Sequence, residues 1–390
     1  MTPLADRLRS DRSSGVGLAV ASLAALLWAN LPGGAASYQQ FWTGSPDLRT
    51  WVNQGLLTVF FTLVGFEIRR EVTAGELRTV RRALIPVLAA LTGMALPAGI
   101  FTLVVAGGTG AHAWGVPMAT DVAFALGALA LVTHAPPRAR VFLMTLAVAD
   151  DVFSIVVLVV FYSHGVQPAW LLGAVAALAA TAGLWALRRP GWPVRLALIA
   201  FAWWALHHAG VEASVTGVAL GILGPPRGAG VRRWVGRLEP WVNVVVLPLF
   251  GLANIGVALS GSVFTDGAAL RVFLAVVLAR VLGKPLGIAS GALLTHRAVA
   301  VATEPRLPRR RLVGVGALAS IGFTVPLLII GQAFRPGPLA TAAIDGLLAS
   351  TLLGLGLGGL LSAGGPAPDD GALRPHFSPN PTIRGDTFER

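Results

Sequence analysis

The sequence predicts an all-α, polytopic membrane protein with twelve transmembrane helices. Three observations carry that prediction. Of 390 residues, 55% are hydrophobic and 12% charged, whereas a soluble domain carries roughly 25% charged residues. Apolar segments, several near 20 residues as a spanning helix requires, recur along the chain. The arginines between them are distributed with one strong bias.

In order, the apolar segments cover 15–31, 51–66, 83–106, 116–134, 139–163, 168–187, 193–209, 211–224, 241–259, 270–294, 312–334 and 338–362. Segments 7 and 8 are short and divided only by a turn near Ala209–Gly210. With a cytoplasmic N-terminus, 25 of the 30 Lys and Arg residues fall on the inner side. Only Arg49, Arg271 and Arg335 fall outside, and Arg280 and Lys284 lie within span 10. Such a split obeys the positive-inside rule at every loop, and one missed helix would reverse it. Both termini are therefore expected in the cytoplasm. Span 1 has an Arg-rich start and a small-residue end, but its apolar core is long for a signal peptide, so it is expected to be retained. Residues 1–14 read as a cytoplasmic N-terminus, 15–362 as the twelve-helix domain, and 363–390, rich in Pro and Gly, as a disordered cytoplasmic tail.

Composition excludes several functions. The absence of cysteine removes disulfides, thiolate metal sites and Cys nucleophiles. The net charge of +12 does not indicate nucleic-acid binding, because most basic residues sit in short loops between apolar spans.

The informative residues are charges inside spans. Each costs roughly 2.5–3.5 kcal/mol at mid-membrane. The chain accepts that cost at Asp121, Asp150, Asp151 and Lys284. Buried Asp–Lys pairs can serve packing alone. Here, however, three carboxylates face one ammonium, so the surplus must be protonated, solvated or bound to a cation. Asp150 and Asp151 lie about 100° apart on a helix, so one can face a water-filled funnel while the other faces a neighbouring helix. Burial and mutual repulsion disfavour two ionised groups. The pair is suited to hold either protons or a metal cation, and oxygen ligands of this kind suit hard cations.

Spans 4 and 11 carry breaks. In "VPMATDVAFALGALALV", Pro117 removes a backbone donor just before Thr120–Asp121; in span 11, Gly322 and Pro326 bracket Phe323–Thr324. Interrupted helices at matching positions point to inverted repeats, here spans 3–5 and 10–12, with the two broken helices crossing at mid-membrane. Asp121 could offset the helix N-termini at such a crossing and Lys284 the C-termini.

These stretches resemble a known family. "VPMATDVAFALGALALV", "FLMTLAVADDVFSIVVLVVFY", "LPLFGLANIGV", "GKPLGI" and "WVNQGLLTVFFTLVGFEIRRE" are similar to the NhaA-type sodium/proton antiporters of bacteria, from about residue 13 to 362. The resemblance implies a transporter and no enzyme, with no cofactor. It would sit in the bacterial cytoplasmic (inner) membrane and exchange cytoplasmic Na+ or Li+ for external H+ by alternating access, electrogenically and under pH control. On that resemblance, Asp151 binds the cation and exchanges it for a proton. Asp150 alternates between a proton and a salt bridge to Lys284. Thr120 and Asp121 sit at the helix crossing, and Glu67, Arg70, Glu71, Arg237 and Glu239 line a cytoplasmic mouth tied to pH activation. Some members dimerise through an external hairpin between spans 1 and 2, for which this chain has a loop of sufficient length, so the resemblance allows a homodimer without deciding the oligomeric state.

Three positions depart from the family: Gln54 replaces a common acid, Glu212 a usual histidine, and Glu239 runs straight into Pro240–Trp241 without a His-containing stretch. His112, His134, His207 and His208 near span ends read as inert. Gly283 and Gly287 have GxxxG spacing that arises often by chance, and Gly354, Gly356, Gly358 and Gly359 are expected to permit close helix approach. Two other functions fit less well. An intramembrane aspartyl protease has no use for Lys284 and its Gly-x-Gly-Asp pattern is absent. A sodium-coupled solute symporter would need a larger substrate cavity.

Overall fold

Every regular element among the described residues is helical. The computed structural model describes residues 3–132, 137–187, 191–224, 229–259, 261–298 and 308–362. The expected tail, 363–390, and His134 lie outside them. The chain begins with α1 (Pro3–Asn30), which runs back through much of the segment expected as an N-terminal arm. It continues with α2 (Gly34–Thr43), α3 (Leu48–Ala74), α4 (Val80–Val105), α5 (Val122–Val132), α6 (Pro137–Phe161), α7 (Pro168–Ala186) and α8 (Trp192–His208). Next come α9 (Val215–Leu223), α10 (Trp234–Asn254), α11 (Gly267–Arg297), α12 (Arg309–Ala319), α13 (Thr324–Ala333) and α14 (Pro338–Ser362).

Among the described residues, seven helices are long and apolar enough to cross a membrane, or up to nine if two bent pairs each count as one span. The bent pairs are α1 with α2, at 120°, and α12 with α13, at 53°. The twelve expected spans exceed this count for a simple reason. Helices α5, α8 and α9 have 11, 17 and 9 residues, short of a full crossing as continuous helices. The first half of span 4 is not α-helix. Residues 116–118 are turns, and 119–121 have no regular structure.

The α1–α2 connection differs from the expected hairpin. Gly33 takes a left-handed φ of 71°, and the chain turns into a helix rather than strands. An aromatic stripe explains the choice. Tyr38 and Trp42, one turn apart, are buried, and the Tyr38 hydroxyl donates to Leu252 O at 2.7 Å and accepts from Gly256 N at 3.1 Å.

Of four apolar clusters among the described residues, two large ones form most of the interior. One joins α4, α5, α6, the second half of α11 and α12; the other runs through α1, α3, α6, the first half of α11, α13 and α14. Helix α1 packs on α10 and α5. Its opposite face exposes Val16, Val20, Leu23 and Leu27, a helical stripe suited to lipid. Gly283 and Gly287, whose spacing alone carried little weight, lie in a real interface. A Cβ on Gly287 would come within 2.4 Å of Thr92 O, so α11 and α4 touch backbone to backbone. Gly354 and Gly358 let α14 approach closely, the first against Ser320 and Ala317 and the second against the Leu318 side chain, whereas a Cβ on Gly356 would meet nothing within 4 Å, contrary to the expectation for that position.

Candidate functional site

Helix α6 carries Asp150 and Asp151 into the interior, with exposures of 1% and 6%. Their 100° separation sends them to different partners. Asp150 Oδ2 accepts from Lys284 Nζ at 2.9 Å and from Thr120 N at 2.6 Å. Its other oxygen, Oδ1, has no hydrogen-bond partner, and neither does Ser154 Oγ one turn on. Asp151 instead lines a cavity of about 70 Å³ together with Glu67, Thr120, Asp121, Glu239, Asn243 and Thr324.

The chain breaks at 119–121 and 320–323 touch. Asp121 N donates to Ile321 O at 3.0 Å, and Thr120 Oγ1 donates to Ala319 O at 2.8 Å. Gly322 is required there, since a Cβ would stand 2.9 Å from Ala119 O and 3.0 Å from Asp121 N. The break places the N-termini of α5 and α13 side by side. Asp121 lies directly before α5, and its Oδ2 accepts from Thr324 Oγ1, the first residue of α13, at 3.3 Å. A carboxylate there offsets the positive ends of both helices.

The opposing carbonyls are served differently from the expectation, which assigned them to Lys284. Lys284 Nζ donates to Met118 O and to Asp150. The remaining carbonyls belong to Arg280, which is fully buried and donates to Ala119 O at 3.4 Å, to Ser320 O and to Gly322 O at 3.1 Å. Sequence reading left Arg280 without a role. The available signal was its position one turn before Lys284 inside an apolar span, since an intramembrane cation is costly unless it has a function. Its orientation depends on a π-helical turn, Ala279–Gly283, immediately before Lys284, and such turns are common at functional sites.

Similarity to known proteins decides what this cluster belongs to. The family described as Na+/H+ antiporter 1 matches residues 5–361. The chain is 38% identical to the Na(+)/H(+) antiporter NhaA of Cutibacterium acnes, over 92% of this chain and 87% of that one. It is 40% identical to that of an Acidovorax species, over 92% and 94%, and 38% identical to that of Thermobifida fusca, over 92% and 93%.

The chain belongs to the Na+/H+ antiporter 1 family.

Within this antiporter fold the expected mouth residues divide. Glu67 and Glu239 line the cavity that reaches Asp151. Glu71 is buried and committed to local structure: its Oε1 accepts from Thr145 Oγ1 at 3.0 Å and from Glu76 N at 2.9 Å, tying the end of α3 to α6. Arg70 reaches Met144 Sδ at 4.0 Å, and Arg237 is exposed on α10; neither lines the cavity. His112 bonds Ala333 O and packs on Phe334, while His207 and His208 pack against Trp203 and Trp204. These three histidines have structural partners.

Proposed function

We propose that this protein exchanges cytoplasmic Na+ or Li+ for external H+ across the bacterial cytoplasmic membrane. The observation that carries the reading is Asp151. It is a buried carboxylate in an acid-lined cavity beside the Asp150–Lys284 pair. A buried anion so placed requires a proton or a cation, and oxygen ligands favour a hard one. The names of its relatives agree with this assignment.

In the inward-facing state, Asp150 and Asp151 lose protons and become ligands for Na+ arriving past Glu67 and Glu239. Cation binding releases Asp150 from Lys284 and permits the unit containing the two breaks to move. On the outside, protons displace Na+, and the protonated carrier returns. More than one proton per Na+ would make the cycle electrogenic, and of the five expected pH-response residues Glu67 and Glu239, which line the cavity, are assigned to it. The accompanying topology has twelve spans and both termini cytoplasmic, with α12 and α13 as one broken span and residues 116–132 as the other. Spans 3–5 and 10–12 form the inverted repeats around the crossing. The strong inward bias of arginine supports this orientation. In a homodimer, α2, whose Phe41 is exposed, would supply the external contact in place of a hairpin.

Reconstitution in proteoliposomes tests the reading. Na+ should drive proton movement without organic substrate, and the KM for Na+ should rise as pH falls because protons occupy the same carboxylates. Asp151→Asn should abolish exchange in protein that still inserts. Exchange by that variant near the wild-type rate refutes the role of Asp151, and uptake of a solute with Na+ refutes antiport.

A further inference from the structure

A second polar cavity, of about 430 Å³, lies among the starts of α3 and α14 and the ends of α10 and α13. It sits at the opposite end of the molecule from Glu67. Helix α3 spans the interval: Gln54 lines this cavity and Glu67 the inner one, about 20 Å apart along a helix. On the proposed topology it faces outward. At its wall is Glu212, in the turn between α8 and α9.

Glu212 is half-buried and held by neutral donors. Gln332 Nε2 donates to its Oε2 at 2.9 Å and Ser214 Oγ to its Oε1 at 3.3 Å. The cation lining the same cavity, Arg49, is used elsewhere: it donates to Ala253 O at 2.9 Å and lies over the Tyr38 ring at 5.7 Å. Glu212 is thus a carboxylate in a polar cavity with no positive partner among the described residues, and the side-chain amides of Asn53, Gln54 and Gln332 and the carboxylate of Asp47 belong to the same walls.

The two cavities nearly meet across α13. Thr324 lines the inner one, and Leu327 and Leu328, both buried, line the outer one. Three to four residues of helix rise about 5 Å. One apolar turn therefore separates the neighbourhood of Asp151 from the space in front of Glu212.

We propose that Glu212 heads an external alkali-cation site, the station that Na+ occupies after passing Leu327 and Leu328 and before leaving the protein. This rests on the antiport reading for its place in the cycle, but not for the binding itself. A carboxylate beside a serine hydroxyl and side-chain amides, in a cavity without a thiol or histidine in its lining, offers oxygen ligands of the kind that suit Na+. Such a site would make external Na+ an inhibitor through a residue that internal Na+ does not need.

Two measurements test it. Radiolabelled Na+ binding to full-length Asp151→Asn protein, whose inner site is disabled, should persist weakly and fall by about tenfold when Glu212→Gln is added. Binding that is absent in Asp151→Asn, or indifferent to Glu212→Gln, overturns the proposal whether or not the wild type exchanges Na+ for H+. In proteoliposomes of one orientation, Glu212→Gln alone should raise the external Na+ needed for half-inhibition by about tenfold and leave the internal KM within about twofold. Glu212→Asp should keep the external inhibition. An equal shift on both sides, or none on either, assigns Glu212 to packing and ends the proposal. Wild-type vesicles that show no exchange would refute the antiport reading alone.

Discussion

Replacing Arg280 with Met tests how the two chain breaks are held together. Three buried carbonyls lose their donor: Ala119 O, Ser320 O and Gly322 O. A buried polar group left unsatisfied costs about 1–3 kcal/mol, so the gross loss is about 3–9 kcal/mol. Two terms oppose it. Met relieves the several kcal/mol of desolvation that a buried guanidinium imposes, and it fills much of the vacated volume, which limits the cavity term. The net destabilisation is then about 3 kcal/mol. At about 2 °C per kcal/mol for a chain of this size, the Tm should fall by about 6 °C. Thermal unfolding in detergent, followed by loss of the monodisperse size-exclusion peak, measures it. Arg280→Lys keeps the charge but not the planar fork that reaches several carbonyls at once, so its Tm should fall roughly half as far. A Met variant that melts within about 1 °C of wild type would show that the breaks do not depend on Arg280, and the structural reasoning would fail.

Two further substitutions probe the same centre. Lys284→Ala leaves Asp150 buried without its cation and should cost about 3–5 kcal/mol, with part of the lost Tm restored by Asp150→Asn in the same chain; an unchanged Tm in the single variant would count against the pair. Gly322→Ala forces a Cβ against Ala119 O and Asp121 N; overpacking of this kind costs about 1–3 kcal/mol, and the maximal exchange rate should drop. Wild-type stability and rate would mean that the breaks can separate freely.

Much of the centre was legible in the sequence because charge in hydrocarbon is expensive. Asp121, Asp150, Asp151 and Lys284 could be singled out by cost alone, and the structure brings them together around Thr120 and the breaks. Arg280 was harder to read, because an arginine one turn from Lys284 could have snorkelled, paired with an acid or capped carbonyls. Only the position of residues 119 and 320–322, distant in sequence, distinguishes these. The mouth residues show the same limit. Glu67 and Glu71 are four apart on α3, yet one lines the cavity and the other is consumed by Thr145 and Glu76.

By itself the sequence determined the membrane setting, the all-helical class and the family, since hydropathy, arginine placement and long local motifs are properties of the chain read in order. The tertiary structure alone decided which carboxylate is paired and which faces a cavity, which cation serves which carbonyls, and that the segment after Gly33 winds into a helix. Those outcomes depend on backbone groups brought within hydrogen-bond reach from 30 to 218 residues away, and no local pattern encodes that distance.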